Sequence, residues 1–328
     1  MNFNLNLQDK AKGFDSAILC LNKKFRCILE KLEPATKQVI QEIRIRVNKN
    51  LSIVCPDSIY FISHDGKISS KETLLYAVPS DIADIIKIIC SYSVYSYQNQ
   101  IKNGFITLKG GHRAGICGTA VTNGTEISNI RDISSINIRI AKEIKGCSEK
   151  ILEKITFNPK GTLIAGPPSS GKTTILRDIA RNLSDMKNGR TKKVSVIDER
   201  GEIAAVYRGI PQVDIGMCDV LSGYPKGIGI LQAVRVLSPD IVICDEIGLV
   251  SEISAVEEGL NAGAEIIASV HSGDINNLLK RKQIKSLLSI GAFQNIILLN
   301  DKSKYTGDFE FLKMEDLYAK NCRNSDFN

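Results

Sequence analysis

The sequence has no tryptophan, and its aromatic residues make up only 6% of 328 positions. Binding single-stranded nucleic acid by base stacking requires aromatic side chains interleaved with basic ones. No such stretch occurs, so nucleic acid is not favoured as a partner. The nine cysteines are scattered from Cys20 to Cys322, odd in number, with no C-x-x-C pair. That pattern argues against a thiolate metal cluster and a disulfide framework, and it fits a reducing cytosol. No apolar run approaches the roughly eighteen residues needed to cross a bilayer. The opening MNFNLNLQDK is polar and lacks the apolar centre of a signal peptide. The expectation is a cytoplasmic protein with no integral membrane segment, reaching a membrane only through partners at its cytoplasmic face. Charge of one sign is not extreme either. The 43 basic residues outnumber 36 acidic ones for a formal charge of +7, which permits an anionic partner without requiring one.

What is present begins with Gly166, Pro167, Pro168, Ser169, Ser170, Gly171, Lys172, Thr173 and Thr174. They fit G-x-x-x-x-G-K-[ST], the phosphate-binding loop of nucleotide hydrolases. The context fits as well: an apolar run, Thr162 to Ala165, precedes it. After it, Ile175, Leu176, Ile179, Ala180 and Leu183 recur at helical spacing. The glycines allow successive amides to turn inward on phosphate oxygens, and the following helix points its positive end at the same anion. Lys172 would reach the terminal phosphates of ATP, and the Thr173 hydroxyl would ligate Mg²⁺.

Three further strand ends carry chemistry. Asp240 to Glu246 is an apolar strand that delivers two carboxylates at its C-terminal end, where ligands bind in an open parallel sheet. Asp245 suits a Mg²⁺ role, and Glu246 suits orienting and deprotonating a water. Val194 to Asp198 is a second such strand, expected beside the phosphate-loop strand. Asp198, Glu199 and Glu202 there are candidates for magnesium or water positioning, while Arg200 either serves the site or pairs with an acid. His271 ends a strand over Ile267 to Val270 and is placed to sense the γ-phosphate. Gly216 to Gly229, rich in glycine, reads as a mobile loop leading into a helix ending at Leu237.

The pattern changes near residue 148. Residues 1–148 read as a small α+β domain. An amphipathic helix is expected over 15–33, ended by Pro34, with a short helix over 35–42 and a longer one over 81–97. Strands and an Asn123-Gly124 hairpin turn complete it. Residues 149–328 alternate strands and helices, so the expected fold class is α/β: a P-loop domain with a parallel-rich sheet after a smaller α+β domain. The last ten or so residues read as a polar tail.

The four motifs, in this order, resemble the secretion-ATPase branch of RecA-type P-loop proteins, the motors of type II and type IV secretion. A closer resemblance runs nearly the whole length. EIRIRVNKN (Glu42–Asn50), GFITLKGGHRAGICGTAV (Gly104–Val121), ISSINIRIAKE (Ile133–Glu143), GPPSSGKTTILRDIAR (Gly166–Arg181), VIDERGEIAA (Val196–Ala205) and SPDIVICDEIG (Ser238–Gly248) are similar to the stage III sporulation protein AA family. The resemblance implies an ATPase of endospore-forming bacteria that uses ATP and Mg²⁺ in the mother-cell cytoplasm. It also implies a homo-hexameric ring with ATP between subunits, energising membrane proteins of a channel between mother cell and forespore. In secretion ATPases, N-terminal arginines help complete the site, which makes Arg113, Arg131 and Arg139 candidates. The chain departs from the family pattern where Met217-Cys218 stand in place of Arg-Thr and where Tyr224-Pro225-Lys226 replaces Cys-Pro-Lys. Methionine cannot steady a phosphate charge, so Arg200, Arg208 or an N-terminal arginine would have to substitute. Two rival readings follow, a nucleic-acid-stimulated ATPase and a nucleotide-gated assembly module that hydrolyses little.

Overall fold

A computed structural model describes residues 7–155, 160–185, 191–300 and 308–317. The polar tail expected at the C-terminus lies outside the described residues, as does Cys322. The chain divides into two compact units. One comprises Met1–Lys142 with Ala205–Gln212, the other Glu143–Ala204 with Val213–Asn328. The sequence pattern suggests a single cut at 148; the segment Ala205–Gln212 crosses that division.

The first unit opens with helices α1 (Leu7–Ile18), α2 (Lys23–Leu29) and α3 (Pro34–Val39). The single helix expected over 15–33 is therefore two. Asn22 breaks it, because its side chain accepts from Phe25 N at 3.3 Å and caps α2. Pro34 starts α3 rather than ending its predecessor, as its missing N–H permits. Strands β1 (Glu42–Arg46), β2 (Ser52–Val54), β3 (Ile59–Ile62) and β4 (Ile68–Ser69) follow, then α4 (Pro79–Ile89) and α5 (Gln98–Lys102). The helix expected to reach Tyr97 stops at Ile89, since Ser91 and Tyr92 take positive φ. The Asp81 carboxylate accepts from Val78 N and closes the first turn of α4. Strands β5 (Phe105–Thr107), β6 (Arg113–Asn123) and β7 (Glu126–Arg139) complete an antiparallel sheet ordered β4-β3-β2-β1-β7-β6-β5. The β6–β7 hairpin turns at Gly124, φ +64°, where Asn123-Gly124 predicts it. Alternation sets the two faces. Ile43 and Ile45 of β1 pair with Ile138 and Ile136 of β7 and are buried with Phe14 and Phe25, while Arg44 and Arg46 lie on the opposite face.

The second unit runs α6 (Glu149–Ile155), β8 (Thr162–Gly166), α7 (Lys172–Ser184), β9 (Val194–Asp198), β10 (Asp219–Ser222), α8 (Lys226–Leu237), β11 (Ile241–Cys244) and α9 (Val250–Asn261). Then come β12 (Glu265–His271), α10 (Ile275–Lys280), α11 (Lys282–Ser289), β13 (Asn295–Leu299) and β14 (Phe309–Lys313). The sheet order is β10-β9-β11-β12-β8-β13-β14, parallel except for the β13–β14 pair. Every residue of β8, β9, β11 and β13 is buried, which explains their near-continuous apolar runs. The fold class is the expected one. Two local expectations need correction. The strand carrying Asp198 does not lie beside the phosphate-loop strand, because β12 and β11 come between β9 and β8. Parallel strands need only a crossover long enough to span the gap, so chain order does not set sheet order. The glycine-rich stretch after Gly216 is also not wholly a loop. It contains β10, which extends the sheet by pairing with β9.

Candidate functional site

β8 ends at Gly166 and α7 begins at Lys172, so the phosphate loop spans a strand end and a helix N-terminus. Gly171 sits at φ +96°, and a Cβ there would meet nothing within 4 Å, so the loop stays open at that point. Gly166 is needed for the opposite reason. A Cβ on it would stand 2.6 Å from the Ser170 hydroxyl. That hydroxyl is buried and makes no hydrogen bond among the described residues, an orphaned donor inside a cradle of backbone amides.

Lys172 is only 6% exposed, and its ammonium donates to Gly166 O at 2.9 Å, Pro167 O at 2.7 Å and His271 Nδ1 at 3.1 Å. Burial lowers its pKa, and the Glu246 charge partly restores it. His271, at the tip of β12, holds Glu246 through Nε2 at 2.7 Å from Oε1. Because Lys172 can only donate, Nδ1 accepts, and the imidazole proton sits on Nε2 facing the carboxylate. The other Glu246 oxygen accepts from Arg200 at 2.8 Å. A continuous chain therefore runs from the phosphate loop through His271 and Glu246 to Arg200. Glu246 itself is at φ +44°, its N–H bonded to the Ser269 hydroxyl at 3.0 Å. Burial raises its pKa, but the His271 hydrogen bond and the Arg200 charge win, and the pKa lies below the ordinary value.

Asp245 behaves differently. It is 2% exposed, and its pKa is pushed up to about 7, first by burial and then by the charges of Glu202, Asp198 and Glu246. The nearby cation is Lys226, which binds Glu199 at 2.7 Å and Glu252 at 3.4 Å. Burial lowers the Lys226 pKa, and its acid partners more than reverse that. More carboxylates than cations therefore converge here, and Asp245 is the one most penalised.

Not all of the acids are available. Asp198 is fully buried and accepts from the amides of Glu202, Ile203 and Ala204 at 2.8, 3.0 and 2.9 Å. The carbonyls of the same loop are held by Arg177 of α7, at 2.8 Å for Glu202 and 2.7 Å for Ile203. Asp198 thus shapes the loop that carries Glu202, with both of its oxygens engaged by backbone amides. Glu199 is committed to Lys226. The sequence reading missed Ser269, Arg177 and Lys226. The buried position of Lys226 at the start of α8 is a tertiary fact that residue type does not signal, although a buried cation needs acids around it.

The candidate arginines are distributed. Arg200 is at the site with its side chain 55% exposed. Arg208 belongs to the first unit. In that unit Arg113 stacks over the Phe105 ring at 3.9 Å, Arg139 pairs with Glu42 at 3.1 Å and Arg131 with Asp132 at 3.5 Å. Met217 is 71% exposed in the second unit, with its N–H on Ser184.

With this geometry in view, a family model described as "Sporulation stage III, protein AA" matches residues 14–312. The chain belongs to the stage III sporulation protein AA family. It is 37% identical over 264 residues to stage III sporulation protein AA of Bacillus subtilis, covering 80% of this chain and 82% of that one. It is also 30% identical over 190 residues to the uncharacterized protein ycf45 of Cyanidium caldarium, covering 57% and 55%. Among solved structures, the ATPase DotB of Yersinia pseudotuberculosis aligns with a TM-score of 0.55 at 15% identity, over 93% of this chain and 84% of that one. DotB of Legionella pneumophila aligns at 0.52 and 16%, over 83% and 74%. These likenesses show that the chain shares the fold of the DotB ATPases. No helix among the described residues is long and apolar enough to cross a membrane.

Proposed function

We propose that this chain binds ATP with Mg²⁺ and hydrolyses it as one subunit of a homo-hexameric motor. The motor would serve membrane proteins of a sporulation channel from the mother-cell cytoplasm. The observation that carries the reading is the chain Lys172–His271–Glu246–Arg200, which joins the phosphate loop to the acid at the end of β11. Two features of the site fit the groups it would receive. The orphaned Ser170 hydroxyl and the backbone N–H groups of Gly171, Lys172 and Thr173 at the start of α7 suit phosphate oxygens. The raised pKa of Asp245, in a surplus of carboxylates, suits a divalent cation held with the Thr173 hydroxyl. Bound Mg²⁺ would neutralise phosphate charge and polarise the terminal phosphoryl group.

The side chains divide the remaining work. Lys172 exchanges two backbone carbonyls for phosphate oxygens. Glu246 orients and deprotonates the attacking water, and His271, bonded to both, reports phosphate arrival at one end to the acid at the other. Glu202 positions water from a loop fixed by Asp198 and Arg177, while Glu199 acts through Lys226. The decisive assay is steady-state hydrolysis by Lys172→Ala, expected to lose about a hundredfold or more of kcat. Undiminished turnover would sink the assignment.

Two observations favour a second reading, in which nucleotide sets assembly and little is hydrolysed. Both oxygens of Glu246 are already engaged, and Met217 offers no charge to a phosphate. Turnover of the assembled protein that is equal in wild type and Glu246→Gln would decide for that reading.

A further inference from the structure

The first unit contains a cavity of about 350 Å³ that the nucleotide site does not use. Ser91, Ser93, Ser96 and Gln100 line it from one stretch of chain, and Tyr207 and Arg208 from the inserted segment Ala205–Gln212. We propose that this cavity is a second ligand site and takes a small phosphate-bearing molecule.

The lining chemistry sets the sign of the ligand. It includes no carboxylate, and its one formal charge is the Arg208 guanidinium. That group hydrogen-bonds Tyr97 and lies 5.4 Å from the Tyr207 ring, and no acid among the described residues neutralises it. A guanidinium held by neutral groups at a cavity wall is a fork for a phosphate or carboxylate. The other polar atoms are mostly donors or able to donate. Gln100 uses its carbonyl oxygen on Thr107 N at 3.1 Å, leaving the amide N–H groups for a ligand. The Ser93 and Ser96 hydroxyls stand 2.8 Å apart, and one proton of that pair is free to point outward. Several hydroxyls, an amide and one guanidinium suit a phosphate ester carrying further oxygens. The volume lies at the low end of small-molecule pockets and matches a mononucleotide or a lipid headgroup rather than anything larger.

Backbone strain gives independent support. Ser91 and Tyr92 have φ of 49° and 61°, and Ala205 and Arg208 have 49° and 50°. A helix end commonly takes one left-handed residue, usually glycine. Here two non-glycine residues in succession follow α4, one of them a tyrosine, and the facing segment supplies two more. Strained conformations persist where they position groups for a ligand. Glycine at any of the four would relieve the strain while deleting a side chain, and Ser91 and Arg208 line the cavity.

The test uses the full chain carrying Lys172→Ala, so that the phosphate loop does not contribute. Calorimetric titrations with adenosine 5′-monophosphate, glycerol 3-phosphate and inorganic phosphate distinguish a nucleotide, a lipid headgroup and a bare anion as the source. At least one should bind once per chain. Arg208→Gln should weaken it about tenfold or more, the expected loss for a charge-assisted hydrogen bond. Should that variant unfold, Ser93→Ala carries the same test with a several-fold loss. No binding by any of the three, or binding that the variants leave unchanged, overturns the proposal.

Discussion

Replacing Asp245 with asparagine should stabilise the nucleotide-free protein at neutral pH and abolish its response to Mg²⁺. The carboxyl is buried, and its pKa rises from 3.8 to about 7 in the fold. The folded state therefore binds more protons than the unfolded state between those values, and stability falls as pH rises through that window. Below about pH 4 the penalty is absent, and above about pH 7 it is complete. That rise in pKa corresponds to about 4 kcal/mol at most. The asparagine keeps the shape but leaves a buried amide short of partners, which returns about 1–2 kcal/mol of that gain. The net expectation is stabilisation by about 2 kcal/mol at pH 8, or roughly 4–8 °C in Tm for a domain of this size. Melting curves of wild type and Asp245→Asn at pH 5 and pH 8, in chelator, give the comparison. The gap should widen with pH, and adding Mg²⁺ and ATP should reverse the order by stabilising only the wild type. If Asp245→Asn melts below wild type at pH 8, or the gap does not change with pH, the placement of the metal at Asp245 loses its electrostatic basis.

The remaining expectations follow from the same geometry. Because half or more of Asp245 is protonated below pH 7, Mg²⁺-ATP binding should release up to about one proton there and tighten as pH rises. Calorimetry in buffers of different ionisation heat measures this, and no proton uptake by the buffer near pH 6.5 would contradict it. Asp198→Ala strips the partner from three loop amides. It should destabilise by about 3 kcal/mol or more, while Asp198→Asn, which keeps one acceptor oxygen, should lose less. Chemical denaturation midpoints rank the two variants.

Much of the site was legible because it is local in sequence. Gly166 to Thr174 and Asp245-Glu246 each combine an apolar strand with its functional end, so periodicity and residue type suffice to find them. Lateral placement was not legible. Nothing in Val194 to Asp198 says that two later strands, β12 and β11, will separate it from β8. Roles were also hidden where residue type is ambiguous. Asp198 looks like a metal ligand in sequence, yet its oxygens are spent on three amides only a few residues away. Arg200 was open between catalysis and pairing, and it is found on Glu246 at 2.8 Å. In the first unit, Asn22 and Ser91-Tyr92 cut helices that apolar periodicity would have continued. Periodicity records which face is buried and passes over a short polar side chain that prefers to cap.

On the proposed reading, the bonds that Lys172 and Glu246 make within the fold set what a nucleotide must do. Lys172 gives all three of its protons to two carbonyls and a histidine, and Glu246 has both oxygens engaged. These bonds keep a buried ammonium and a partly buried carboxylate from standing unpaired, which would otherwise destabilise the fold. A phosphate that draws Lys172 away also deprives His271 Nδ1 of its donor, so the histidine's hold on Glu246 weakens at the moment the acid is needed. Asp245 carries the opposite imbalance, because burial and the neighbouring acids raise its pKa more than Lys226 lowers it. The site therefore discriminates between its ligands. A nucleotide competes with existing hydrogen bonds, whereas the metal meets a carboxylate whose charge the fold leaves largely unbalanced, so the metal–phosphate pair should bind far better than phosphate alone.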